Sequence, residues 1–325
     1  MRAVTVREFG GPEVLQITEL PDLIPAPGEV LLQVAATAVN KGDTHQRVGN
    51  YPPPPGITDV MGLECSGTVV AVGADVTRWK VGDAVCALVA GGGYASQAIV
   101  PQEQVMPVPS GVDIVSAAAL PEAAATVWSN VFMEAALSSG ETLLVHGGAG
   151  GIGSFAISLA AARGHRVIAT AGSTDKVATC LELGADLAIN YRDEDFVDAV
   201  KKATEGRGVD VILDNMGGSY LDRNLKALAT GGRLAIIGMQ GGTKGELNIG
   251  RLLVKRARVI ATSLRPRPIA EKGEICAQLV DQVWPLYESG AIRPVIDCVM
   301  PLSEVARAHE RIEAGSHTGK IVLTL

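Results

Sequence analysis

"TLLVHGGAGGIGSFAISLAAARGHRVIAT", running from Thr142 to Thr170, decides the fold. An apolar run ends at His146. Gly148-Ala149-Gly150-Gly151-Ile152-Gly153 then reads G-x-G-x-x-G, and an Ala-rich helical stretch leads to a second apolar run. That glycine spacing is a weak signal alone; between a strand and a helix of one βαβ unit it marks a dinucleotide site. The glycines make the turn and let backbone N–H groups reach a pyrophosphate, whose charge the helix start favours.

The second run begins a series of five that follow the first. "RVIATAG", "LAINY", "VDVILDNM", "RLAIIG" and "RVIATSL" are continuous rather than alternating, as expected for a parallel sheet covered on both faces. With "TLLVHG" they predict a doubly wound, parallel, six-stranded Rossmann sheet over residues 124–264. Pro121 opens a helical stretch through "PEAAATVWSNVFMEAAL".

Residues 1–123 read differently. "GTVVAVG", "DAVCALV" and "YASQAIV" are short Val- and Ala-rich runs separated by Gly, Pro or Asp, which predicts a β-rich domain. "NYPPPPG" (Asn50 to Gly56) is an extended loop, because each Pro removes a donor and fixes φ. The tail, 265–325, holds a helix over about Glu271–Glu288, a second through "SEVARAHERIEAG" and a last strand "KIVLTL". Since six strands complete the doubly wound sheet, the tail is expected to join the first domain.

Composition narrows the partners. The 325 residues are 47% hydrophobic and 19% charged, enough apolar material for large cores, and the net charge of −7 disfavours nucleic acid and anionic membranes. No apolar run reaches membrane-span length. Five widely spaced Cys and a charged "MRAVTVREFG" start point to free thiols and the cytoplasm.

The second strand's tip selects the cofactor. NAD binders usually carry a carboxylate there for the ribose 2′-OH. Here the chain reads Thr170-Ala171-Gly172-Ser173, so Ser173 and Lys176 are placed to hold a 2′-phosphate and NADP(H) is favoured. Asp175 belongs to the first turn of the next helix. Later strand ends fall on the same edge of such a sheet. Asn215, Gly238 and Met239, and Ser263, Leu264 and Arg265 are therefore candidate cofactor contacts, beside Gly148, Ala149, Gly150, Gly151 and Ile152.

"FGGPEVL", "VNKGDTHQRVGNYPPPPG", "GLECSGTVVAVG", "LVHGGAGGIG", "TAGSTDK", "GADLAINYRDEDF", "GVDVILDNMGGSY" and "HTGKIVL" span the whole chain. Together they resemble the medium-chain dehydrogenase/reductase superfamily, within it the zinc-independent, zeta-crystallin-like NADPH:quinone oxidoreductases. The resemblance implies a GroES-like catalytic domain beside the Rossmann domain. It also implies roles. Lys176 and Tyr191 bind the 2′-phosphate near Gly172 and Ser173, Thr126 and Lys320 reach the cofactor, and Asn40 and Tyr51 line the nicotinamide and substrate cleft. Judged without it, Tyr51 packs on its prolines and Asn40 makes a turn.

The zinc alcohol dehydrogenases of that superfamily carry a catalytic Cys where this chain has Asn40 in "NKGD", and a His where it has Leu63 in "GLE". Leu offers a metal no donor, and catalytic zinc takes three protein ligands, so no metal is expected. His45 has no ligand-spaced partners, Cys65 reads as a buried hydrophobe and Glu64 as a paired carboxylate. Hydride transfer from NADPH to a quinone follows, with Asn40 and Tyr51 binding the acceptor oxygen. Reduction of a C=C bond in an enal or enone uses the same apparatus, and a non-catalytic NADPH-binding protein is the reading from another class. The resemblance also implies a homodimer in which the strand near Val259–Leu264 pairs with its copy, covering an otherwise exposed edge.

Overall fold

The computed structural model describes residues 1–325. It divides into two compact units, Met1–Ala125 with Leu264–Leu325, and Thr126–Ser263.

In the first unit β1 (Arg2–Val6) pairs with β2 (Leu15–Glu19). There follow β3 (Glu29–Ala38), α1 (Lys41–Arg47), β4 (Glu64–Val72), β5 (Ala84–Leu88), β6 (Gln97–Pro101), β7 (Val105–Pro107), α2 (Ile114–Ala117) and the start of α3 (Pro121–Val127). The second unit holds β8 (Thr142–Val145), α4 (Gly151–Ala162), β9 (Arg166–Ala171), α5 (Thr174–Glu182), β10 (Leu187–Asn190), α6 (Phe196–Ala203), β11 (Val209–Asp214), α7 (Leu221–Ala227), β12 (Leu228–Ile236), α8 (Ile249–Lys255) and β13 (Arg258–Ala261). The tail adds α9 (Ile269–Gln282), α10 (Trp284–Glu288), β14 (Ile296–Pro301), α11 (Val305–Glu313) and β15 (Lys320–Thr324) to the first unit.

The second unit is the doubly wound sheet. Its strand order is β10-β9-β8-β11-β12-β13, all parallel. The inner strands β8 and β11 are buried at every residue, which is why their sequences run apolar without alternation. The order reverses between β8 and β11, the place where such sheets open a crevice for a ligand. The last strand ends at Ala261, so Ser263 and Leu264 lie beyond it rather than within the expected "RVIATSL" strand.

The first unit is a seven-stranded sheet, β14-β15-β3-β4-β5-β7, with β6 also on β3. The tail supplies two of these strands. Leu302, Val305, Ala308 and Leu323 share a core with Val4, Val39, Met61 and Tyr94. One register matters for the chemistry. β15 runs antiparallel to β3 with Val322 opposite Ala38, and carrying that register on sets Lys320 opposite Asn40.

Two helices differ from expectation. The tail helix breaks at Val283, because Pro285 supplies no N–H to carry the ladder through. The helix from Pro121 stays α only to Val127, then continues as a π-helix over Trp128–Glu134. Such wider turns cluster at functional sites. Here Asn130, within it, donates to the Thr126 carbonyl at 2.9 Å and accepts from Thr262 Oγ1 at 2.6 Å. No helix is long and apolar enough to cross a membrane.

Candidate active site

The sequence-predicted residues fall into two sets, one in each unit. The second unit carries the nucleotide set. Gly147 turns the chain at φ +68°, Gly150 caps α4, and Gly153 lies so close to the preceding turn that a Cβ there would sit 2.2 Å from the Gly147 carbonyl. Gly148 N–H bonds the Thr170 carbonyl at 2.8 Å, which ties the loop to β9. The amides of Gly151 and Ile152 belong to the first turn of α4, where an α-helix has no acceptors of its own to offer. Their N–H groups have the chemistry that a pyrophosphate oxygen requires. Ala149 is buried within the turn.

Ser173 caps α5, its Oγ accepting from Lys176 N–H at 3.4 Å, which leaves the hydroxyl hydrogen for an outside acceptor. Tyr191 lies over Gly172, its phenol oxygen 2.4 Å from where a Gly172 Cβ would stand. Ser173, Lys176 and Tyr191 therefore gather at the tip of β9, and Asp175 sits exposed in the first helical turn. Gly238 packs against the Asn215 backbone, Met239 is 63% exposed, and Asn215 presses on Gly147. The buried Asn215 Oδ1 has no hydrogen-bond partner in the chain, an orphaned acceptor that fits a ligand group beside the loop. Beneath the loop, buried His146 bonds Thr170 Oγ1 and Asn224 Oδ1, and burial pushes its imidazole down to about 4, so it is neutral.

The first unit carries the other set. Asn40 caps α1, and Asp43 accepts its N–H at 2.8 Å. Asn40 Nδ2 donates to Glu64 Oε1 at 2.8 Å and to the Ala38 carbonyl at 3.3 Å, while Oδ1 accepts from Lys320 Nζ at 2.6 Å. Both amide hydrogens of Asn40 are thus committed within the protein. Lys320 Nζ also lies 2.6 Å from Glu64 Oε1, and Glu64 Oε2 accepts the Glu122 N–H at 2.9 Å. Glu64 is fully buried, and Lys320 nearly so.

Tyr51 is placed by two contacts. Gly42, lacking a side chain, lets the Tyr51 ring and Leu63 approach the start of α1, for a Cβ there would stand 3.0 Å from Leu63 and 3.2 Å from Tyr51. Arg265 holds the loop from the other side. Its guanidinium lies 4.9 Å from the Tyr51 ring centroid and donates to the carbonyls of Tyr51 and Ala90 and to Gln46 Oε1. Arg265, a candidate cofactor contact by its place after the last strand, is buried as a clamp on this loop. Leu264 beside it is buried and Ser263 exposed.

A second chain of bonds anchors α1. Tyr94 OH donates to Asp43 Oδ2 at 3.1 Å and lies 3.2 Å from His309 Nε2, while Arg47 Nη1 is 3.2 Å from His309 Nδ1. Arginine only donates, so Nδ1 of His309 is the acceptor and Nε2 carries the hydrogen. Burial keeps that imidazole neutral, its value pushed down to about 3, and raises Asp43 to about 6.

Glu122 was not among the sequence candidates. It is half-buried, and burial next to Glu64 raises its carboxyl from 4.5 to about 8. The folded value exceeds the unfolded one, so the stability this group contributes is full below 4.5 and is lost as pH rises through 8. Glu122→Gln should therefore gain on the wild type progressively across that window, by a few kcal/mol at its top. Thermal melts at a series of pH values read it; a gap that stays constant refutes the assignment.

A metal does not fit these residues. Asn40 uses its amide nitrogen as a donor, Leu63 brings only carbon, and an ammonium lies against the one carboxylate. No group of three His, Cys, Asp or Glu side chains is placed to hold an ion.

Comparison with known proteins places the chain. Residues 26–110 match the alcohol dehydrogenase GroES-like domain, and residues 151–280 match the zinc-binding dehydrogenase family. Rat quinone oxidoreductase is 34% identical over 329 residues, covering 100% of this chain and 98% of its own. Among solved structures, Escherichia coli quinone oxidoreductase complexed with NADPH superposes with a TM-score of 0.89 at 29% identity, and an NAD-dependent alcohol dehydrogenase with 0.89 at 31%, each covering 100% of both chains. The chain belongs to the medium-chain dehydrogenase/reductase family and, within it, to the quinone oxidoreductase group; it is an oxidoreductase.

Proposed function

We propose that this protein uses NADPH to reduce quinones, and that it does so without a metal. The observation that carries the reading is the set around Asn40. Where a zinc alcohol dehydrogenase needs thiolate and imidazole, this chain has an amide, a leucine and an ion pair. That set cannot supply the Lewis acid on which alcohol oxidation depends. Acceptors that take hydride readily remain, and quinones head that class. NADPH supplies the hydride; the protein contributes position and hydrogen bonds. Tyr51, held by Gly42 and Arg265, lines the acceptor side and is a candidate proton donor.

The preference for NADPH rests on the tip of β9, which offers Ser173, Lys176 and Tyr191 and no carboxylate. A charge-assisted contact to a phosphate contributes about 1.5–3 kcal/mol. Lys176→Ala should therefore raise the NADPH Kd about 10- to 100-fold and leave the NADH Kd nearly unchanged. Fluorescence titration measures both. Equal wild-type affinity for the two cofactors would remove the NADPH assignment.

Turnover tests the acceptor. Steady NADPH oxidation with a naphthoquinone, and much slower oxidation with an alkenal, is the expected result. The reverse order would transfer the reading to C=C reduction.

A further inference from the structure

Lys320 has a donor to spare where Asn40 has none. An ammonium carries three N–H groups. Those of Lys320 meet Glu64 Oε1 and Asn40 Oδ1, each at 2.6 Å, and no third partner exists within the chain. Asn40, by contrast, directs both amide hydrogens at Glu64 and Ala38. Burying a cation is costly unless it is paired and hydrogen-bonded, and an unfilled donor adds to that cost. The cation stands among the very side chains that occupy metal-ligand positions by sequence, Asn40 and the Leu63-Glu64 pair.

We propose that Lys320 is a catalytic residue: its third N–H binds the acceptor oxygen and stabilises the negative charge that hydride transfer creates, with Glu64 and Asn40 as positioning residues that aim it. This rests on the quinone reading above. The nicotinamide C4–H bond breaks with its electron pair, and the hydride forms a new bond to the quinone. NADP⁺ and a hydroquinone monoanion result; the Tyr51 hydroxyl, the donor named above, gives the proton that completes the hydroquinone and is reprotonated by solvent when the product leaves. The ammonium does the electrostatic work of a metal without acting as one, in a site where water cannot screen it.

The test pairs Lys320→Met with Glu64→Gln, which removes both charges together and avoids a lone buried ion. At saturating NADPH, kcat with a naphthoquinone should fall about 100-fold, as when one oxyanion donor is lost elsewhere. The fall should be steeper for weakly electrophilic quinones than for strong ones. The NADPH Kd should hold within about threefold. Lys320→Arg, which keeps a charge and donors, should recover part of kcat. A raised NADPH Kd with kcat retained would make Lys320 a cofactor contact and overturn the proposal, as would a lowered melting temperature with kcat unchanged. Should the double variant not fold, Lys320→Arg decides: an altered dependence of kcat on quinone electrophilicity supports the role, and an unaltered one overturns it. If the wild type reduces no quinone, this proposal falls with the proposed function; if it does and the variants match it, only the role of Lys320 falls.

Discussion

Glu64→Leu should destabilise the protein by about 3–5 kcal/mol, because it leaves the Lys320 ammonium buried without its anion. For a unit of this size that is a drop of about 10 °C in melting temperature. Three bonds are lost at once: the ion pair, the Asn40 Nδ2 contact and the acceptor for Glu122 N–H. Replacing both members should be far milder. Glu64→Leu with Lys320→Met leaves no unpaired ion, only the Asn40 amide and the Glu122 N–H short of partners, and buried pairs exchanged for hydrophobic residues are often neutral in cost. The coupling energy from the four melting curves is the measurement. Strict additivity of the two single variants would show that the pair does not interact.

Gly153→Ala should raise the NADPH Kd about 100-fold and lower the melting temperature as well. The added Cβ would stand 2.2 Å from the Gly147 carbonyl oxygen and 2.7 Å from Gly148 Cα, and both neighbours are backbone. Backbone cannot rotate aside as a side chain does, so α4 must back away from the turn it caps. Overpacking of this kind costs about 1–3 kcal/mol, and the loop amides lose their alignment with it. Gly150→Ala is the informative partner. Gly150 sits at φ −76°, and a Cβ added there would stand 3.4 Å from its nearest neighbour, the Gly147 carbonyl oxygen, so the fold accepts the methyl group. Its melting temperature should match the wild type while NADPH affinity falls, since that glycine serves the ligand's approach. Equal melting temperatures for Gly153→Ala and the wild type would contradict the packing argument.

The nucleotide half was legible from the residues because its signals are local. Continuous apolar runs, the glycine spacing after His146 and the missing carboxylate after Thr170 each lie within a few residues of one another. The strand order β10-β9-β8-β11-β12-β13 follows from short right-handed crossovers that leave few alternatives. The absence of metal donors at Asn40 and Leu63 was equally readable, since side-chain chemistry does not depend on folding.

What the acceptor side looks like was decided by tertiary structure. Lys320 and Asn40 are 280 residues apart and meet through the register of β15 on β3. No local pattern states that register. Nor does the sequence say that both hydrogens of Asn40 are taken, that Arg265 turns to clamp Tyr51, or that Glu122 gives its backbone N–H to Glu64. Residue types set which chemistry the chain can perform. Burial and strand register set which of those groups stay charged, where they point, and which still has a hydrogen to give.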